Sequence, residues 1–258
     1  MRIARYGFKG KARYGLIDPA AGILRELVGE PFESIRETGV THNLAEVSLL
    51  APVAPGKIVA VGLNYKDHAK EVGMRIPEEP LLFLKAVSAV IAPGENIVYP
   101  RQSKQVDYEA ELAVVIGREA KDVPADRAPE YILGYTCIND VTARDLQIRD
   151  VQFARSKGFD TFAPIGPWIV PEVDPSALAV RCLVNGVLRQ AGNTRDMGSS
   201  VHRLVEYISA NMTLLPGDVI ATGTPAGIGS LAVGDEVTVE IEGIGSLTNR
   251  VVAQEPRR

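Results

Sequence analysis

Cysteine is nearly missing from this sequence. Cys137 and Cys182 are the only two, and their spacing fits no zinc or redox motif. A disulfide framework is therefore excluded. The pair reads as buried thiols in a reducing cytosol, with a single bridge between them as the lesser alternative. Long apolar runs are missing as well. The longest, such as Ile58–Leu63, are strand-sized, and no apolar stretch follows the arginines of the N-terminal MRIARYGFKG. Neither a membrane span nor a signal peptide is indicated. No block of positive charge occurs: 28 basic residues face 32 acidic ones for a net charge of -4, which argues against a nucleic-acid surface. Repeats and low-complexity tracts are also absent. What remains is ordinary globular composition, 46% hydrophobic and 23% charged over 258 residues, expected in the cytoplasm.

Glycine-separated strand-like pieces occupy the first fifty or so residues: Arg2–Phe8, Ala12–Ile17 and Ile23–Leu27. At Ala51–Pro55, APVAP, each proline pushes its predecessor toward extended backbone. The boundary is placed there, giving a small N-terminal β-rich module over residues 1–55 and a main catalytic domain over 56–258. In the second part strands outnumber helices. Asn185–Gly186 between Ala179–Val184 and Val187–Gln190 predicts a hairpin. Ser199–Asn211 predicts a helix whose Val201, Leu204, Val205 and Ile208 share one face. Regular βαβ alternation does not fit, so the expected class is mixed α+β, rich in strand.

The stretch Val106–Ile116, VDYEAELAVVI, carries the first chemical signal. Strand alternation puts Asp107, Glu109 and Glu111 on one face, next to an apolar run heading into the core. Two carboxylates about 4 Å apart repel by roughly 4 kcal/mol at an effective dielectric near 20. A solvated edge would relieve this, and it accounts for the ExE pattern taken alone. The second apolar strand, Tyr131–Asn139, also ends in an acid, Asp140, and this favours a shared cation. Glu109, Glu111 and Asp140 offer only hard oxygen donors, suited to Mg²⁺, Mn²⁺ or Ca²⁺. A further signal is Leu63–Gly73, LNYKDHAKEVG, read as a short helix with Asn64 as N-cap and Gly73 as its end. His68 and Glu71 stand three apart on it and share a face. A carboxylate that fixes the imidazole tautomer is what a general base needs, although such pairs also occur with purely structural roles. The proline-bearing Met74–Pro80 after it has the composition of a mobile flap.

Together these segments resemble the fumarylacetoacetate hydrolase family in its short bacterial branch. The resemblance rests on VGLNYKDHAKE (Val61–Glu71), PLLFLK (Pro80–Lys85), DYEAEL (Asp107–Leu112), GYTCINDVTARDLQ (Gly134–Gln147), KGFDTFAPIGP (Lys157–Pro167), VNGVLRQ (Val184–Gln190) and IATGTPAGIG (Ile220–Gly229). It implies a mixed β-sandwich roll, usually a homodimer, with Mg²⁺ or Mn²⁺ held by Glu109, Glu111 and Asp140. It also implies a catalytic dyad of His68 and Glu71, with Lys157 orienting the substrate. The turn Thr222–Pro225, with Gly223 and Thr224, is expected at the substrate, together with Lys85 and Gln147. Arg144 is expected either there or bracing the metal aspartate. The implied substrate is a small 2-keto or 2,4-diketo acid, and the implied reaction is hydrolysis of a C–C bond through an enolate, as in acylpyruvate hydrolases. Isomerisation or decarboxylation of dienoic keto acids, oxaloacetate decarboxylation or tautomerisation, and sugar-acid dehydration share the same enolate chemistry. The tyrosine-catabolic hydrolase itself is not implied, because too few residues precede the core for its large N-terminal barrel.

Overall fold

The computed structural model describes residues 1–255. Its architecture is mixed and strand-rich, with strands in a twelve-stranded, a five-stranded and a three-stranded sheet. The largest sheet is built around the run that sequence alternation marks as buried. Ala110–Ile116 is buried along its whole length and lies between Ile132–Asn139 and Val219–Ala221, antiparallel to both. Ile58–Gly62 pairs in parallel with Val219–Ala221, and Leu81–Lys85 closes that side. A strand buried on both faces needs no polar alternation, which explains the continuous apolar reading of Leu112–Ile116.

On the other side Ala163–Val170 pairs with Ile132–Asn139, and the sheet passes into the N-terminal module through Ile3 opposite Ile169. That module is an antiparallel meander of Ile3–Phe8, Lys11–Asp18, Ile23–Leu27 and Glu37–Asn43. The APVAP segment is not a free linker: Val53 is buried in the main core, and Ala51 is buried as well. The last strand of the meander gives no sequence signal, because Glu37–Asn43 is an exposed edge with one buried residue, His42. Gly245–Ala253 was hidden for another reason. Its inward face includes Asn249, whose amide donates to the carbonyls of Ala92 and Glu95 and breaks the apolar alternation.

The five-stranded sheet contains the expected hairpin. Val184 pairs with Val187 around Asn185 and Gly186, both at positive φ (53° and 75°) as a tight two-residue turn requires. Val201–Asn211 is helical, capped by Ser200, and buries Val201, Leu204, Val205 and Ile208 as its spacing predicts. Both cysteines are free and buried, and burial pushes both thiols up. Among the described residues no helix is long and apolar enough to cross a membrane.

A buried carboxylate organises the meander. Glu26 accepts from Tyr6 Oη at 2.8 Å and from Arg13 Nη1 at 2.7 and 2.8 Å, and it lies 3.2 Å from His42 Nε2. Burial alone would raise its pKa, but the bonds from Tyr6, Arg13 and His42 outweigh that and hold it below the usual range. The stabilisation is therefore complete above the ordinary glutamate pKa and is lost as the pH falls through the depressed one. Glu26→Gln should cost about 1–3 kcal/mol at neutral pH. It should also remove this acid-dependent component from urea unfolding followed by Trp168, the single tryptophan, which sits beside the module under Arg2. An unchanged pH profile in the variant would show that Glu26 does not organise the meander.

Candidate active site

Register brings the acids together. Ala110 pairs with Asn139 and Glu111 with Ile138, so Asp140 emerges opposite Glu109, and its N–H donates to the Glu109 carbonyl at 2.9 Å. The strand breaks at Glu109, between Val106–Tyr108 and Ala110–Ile116, and Asn139 Oδ1 accepts the Glu109 N–H at 3.0 Å. Ligand oxygens of Glu109, Glu111 and Asp140 all lie within 4.8 Å of one another, and all three residues are buried. Asp107 stands outside this group. It accepts from Arg144 Nε at 2.9 Å and from the Ser230 hydroxyl at 3.0 Å.

Three cations answer the four acids. Lys157 Nζ donates to Glu109 Oε2 at 2.7 Å and to Asp140 Oδ2 at 2.6 Å. Arg144 joins Asp107 to Glu109 through Nε and Nη2. Lys85 Nζ donates to Asp140 Oδ1 at 2.5 Å, to the Lys157 carbonyl at 2.7 Å and to the Val141 carbonyl at 3.3 Å. Burial would lower the Lys157 ammonium, but Asp140 and Glu109 hold it raised; in Lys85 burial prevails over Asp140 and lowers it. Burial works against the Glu109 anion, yet Lys157 and Arg144 keep its pKa below the usual carboxylate range. Glu111 is the opposite case. Burial, then Asp140 and Glu109, push it well above that range against the nearby Lys157 charge, and its one hydrogen bond comes from the backbone N–H of Gly223 at 2.7 Å. Glu111 is the one acid of the four without an ion-pair partner, at a point where three hard oxygen donors converge. The donor set and the excess of acids over cations both fit a divalent cation.

Lys85 was expected to reach substrate. Instead its ammonium is fully buried behind Asp140, and all three of its hydrogens are engaged. Gly223 is also displaced from its expected role, since its N–H holds Glu111. At φ +94°, with Asn64 Cβ only 2.8 Å from where a Cβ would stand, this position requires glycine. Thr224 does line the cavity, but its hydroxyl is committed to the Ala110 carbonyl and to Gln190. Gln147 lines it too, beside Arg144. Arg144 braces Glu109, and Asp140 is braced by Lys85 and Lys157.

The helix Lys66–Glu71 sits at the rim. It starts at Tyr65, not at an Asn64 cap, and the Asn64 amide instead donates to the carbonyls of Thr222 and Ser199. At Gly73 it ends in a left-handed turn, with the N–H groups of Gly73 and Met74 returning to Lys70 and Ala69. His68 Nδ1 lies 3.1 Å from Glu71 Oε2, and Glu71 Oε1 accepts from the Gly227 N–H at 2.9 Å. The carboxylate thus joins the helix to the loop after the Thr222–Pro225 turn. His68, Glu109, Glu111, Asp140, Lys157 and Thr224 all face one cavity of about 430 Å³. Gln190 was not singled out for any role by sequence reasoning. Buried, it links Ala110, Thr224 and Pro225 and so fixes the turn against the acidic strand.

The family model described as fumarylacetoacetate (FAA) hydrolase C-terminal matches residues 57–252, and a second, described as Rv2993c-like, N-terminal, matches residues 1–52. The chain belongs to the fumarylacetoacetate hydrolase family. It is, accordingly, an enzyme. Among solved structures it resembles 5-carboxymethyl-2-hydroxymuconate delta-isomerase from Mycobacterium smegmatis, with 47% identity and a TM-score of 0.93, over 98% of this chain and 100% of that one. The 2-hydroxyhepta-2,4-diene-1,7-dioate isomerase from Mycobacterium marinum follows with 45% identity and a TM-score of 0.92, over 99% and 100%. Fumarylpyruvate hydrolase from Pseudomonas aeruginosa, in complex with Mn²⁺ and pyruvate, shares 35% identity at a TM-score of 0.74, over 78% and 91%.

The network makes Lys85 a support for Asp140. Lys85→Met should destabilise the metal-free protein by about 1–3 kcal/mol, because Asp140 keeps Lys157 but loses the other of its two buried cationic partners. Urea unfolding with and without a divalent cation checks this, and added cation should recover part of the loss. A variant as stable as the parent would show that Asp140 does not depend on Lys85.

Proposed function

We propose that this enzyme hydrolyses a carbon–carbon bond of a small 2,4-diketo acid, with Glu109, Glu111 and Asp140 holding a divalent cation and His68 acting as general base. The observation that carries the reading is the dyad. Glu71 engages Nδ1 of His68, which leaves Nε2 as the ring nitrogen for a reacting water, on the wall of the cavity that also contains the three acids. A metal centre with a purely structural role needs neither this pair nor a lysine set among its ligands.

Lys157, with two of its three hydrogens on Glu109 and Asp140, offers the third to the substrate carboxylate, and Gln147 flanks it. His68 takes a proton from water, and the hydroxide adds to the distal keto carbon. The bond from that carbon to the central methylene then breaks, releasing a carboxylic acid and the enolate of pyruvate. The imidazolium returns its proton to the methylene carbon, giving pyruvate. A cation bound at the acids would supply Lewis-acid stabilisation of charge on the keto oxygen, worth several kcal/mol. Mg²⁺ is the ion we assign, and the Mn²⁺ of the fumarylpyruvate hydrolase complex supports Mn²⁺ as the alternative. Function as a cytoplasmic homodimer in aromatic catabolism, with residues 1–55 as a separate module on the catalytic domain, completes the proposal on the strength of the family likeness.

A second reading has specific support. The two isomerases above are more similar in sequence than the fumarylpyruvate hydrolase, and proton transfer at the same enolate would serve isomerisation or decarboxylation. Acetylpyruvate separates the two. With metal-stripped protein its enol absorbance should persist, and added Mg²⁺ should remove it with stoichiometric release of acetate and pyruvate. Absorbance loss without acetate would favour the isomerase reading.

Two variants test the assigned roles. His68→Ala should lower turnover by about 10²–10⁴ while calorimetric metal binding is unchanged. Glu109→Ala should abolish metal binding. Full turnover in the first, or a retained stoichiometric metal in the second, would remove that residue from its role.

A further inference from the structure

The cavity wall is made of two unlike kinds of side chain. Its cations are gathered at the acids and already engaged: Lys157 on Glu109 and Asp140, Arg144 on Asp107 and Glu109. His68 is committed to Glu71. Most of the remaining wall is apolar, formed by Val72, Met74, Leu81, Phe83, Ile148 and Phe153, and it carries no further charged group. Phe83 and Phe153 pack edge to face at 5.3 Å in this wall. Arg75, next to Met74, is exposed and does not contribute to the lining.

The mouth is unusual in a second respect. Ile148 is 76% and Val151 is 82% exposed, and Val151 holds a φ of +65°, a region that a β-branched residue rarely adopts. Ile148 and Val151 also line the cavity, so its apolar surface continues from the inner wall out to the mouth. A carboxylate placed on such a wall would lose its hydration with no partner in return.

We propose that the group beyond the keto acid in the true substrate is uncharged, an alkyl or aryl chain packed on this wall, and that substrates with a second, terminal carboxylate are disfavoured. This rests on the keto-acid reading above and is opposite to the 1,7-dioate in the name of the Mycobacterium marinum isomerase. The chain makes the choice through the wall, since Lys157 and Arg144 serve the keto-acid end of either kind of substrate.

The test compares 2-oxohexanoate with 2-oxoadipate, which differ only in a terminal methyl or carboxylate, by calorimetric titration of the full-length protein with Mg²⁺. Binding should tighten about three- to fourfold per added methylene from pyruvate to 2-oxohexanoate. The 2-oxohexanoate should bind at least about tenfold more tightly than 2-oxoadipate, in keeping with the cost of an unpaired carboxylate. Ile148→Lys, at an exposed position where folding is not at stake, should shift that ratio toward 2-oxoadipate. Equal affinities, a preference for 2-oxoadipate, or binding of neither acid overturns the proposal. Failure to hydrolyse acetylpyruvate would instead remove the hydrolase reading and leave this binding comparison standing.

Discussion

Asp107, Glu109, Glu111 and Asp140 sit out of water within one cluster, and Lys85, Arg144 and Lys157 are the cations that make this possible. Burying an ion costs several kcal/mol unless it is paired and hydrogen-bonded, so a group this dense constrains everything around it. Each cation comes from a different element. Lys85 ends a strand of the large sheet, Arg144 opens the helix Arg144–Asp150, and Lys157 closes the short helix Ala154–Lys157. Moving any of these elements would strand a charge. The cluster therefore acts as a clamp on the fold.

The clamp is incomplete by design of its charges. Paired as they are, the cations satisfy Asp107, Glu109 and Asp140 and leave Glu111 with a lone backbone N–H. A fully neutralised cluster would have little use for a metal, whereas an unanswered carboxylate among converging oxygens gives a cation a place with a thermodynamic reason to be filled. The supporting polar groups keep those oxygens in position. Asn139 bridges the strand break at Glu109, Gly223 holds Glu111, and Gln190 ties the Thr222–Pro225 turn to Ala110. The same sheet that aligns the acids continues into the N-terminal meander, which adds to the scaffold without placing a side chain in the cavity.

Much of this was legible before any coordinates. Period-2 and period-3.6 patterns located the buried strands, the Asn185–Gly186 turn and the Val201–Asn211 helix, because there a single face is buried and the apolar residues follow the geometry. Glu37–Asn43 escaped because an exposed edge strand buries almost nothing. Asn64 is not the cap its position suggests, because a polar residue before a helix looks the same whether its side chain bonds the helix or distant carbonyls. Lys85 turns inward for a similarly non-local reason. A lysine ending an apolar strand signals a buried partner, but its partner lies 55 residues away, beyond the reach of any local pattern.

By itself the sequence determined which residue types were available: an acidic stripe on one strand face, a third acid at the end of a second strand, and a histidine with a glutamate three residues on. Those follow from alternation and helical pitch, which are local properties of the chain. Only the tertiary structure decided which acid is answered by which cation, that Lys85 and Gly223 are spent on Asp140 and Glu111, and that much of the cavity wall is apolar. Charge pairing and cavity shape depend on elements brought together from across the sheet, and that long-range register is not written in any single segment.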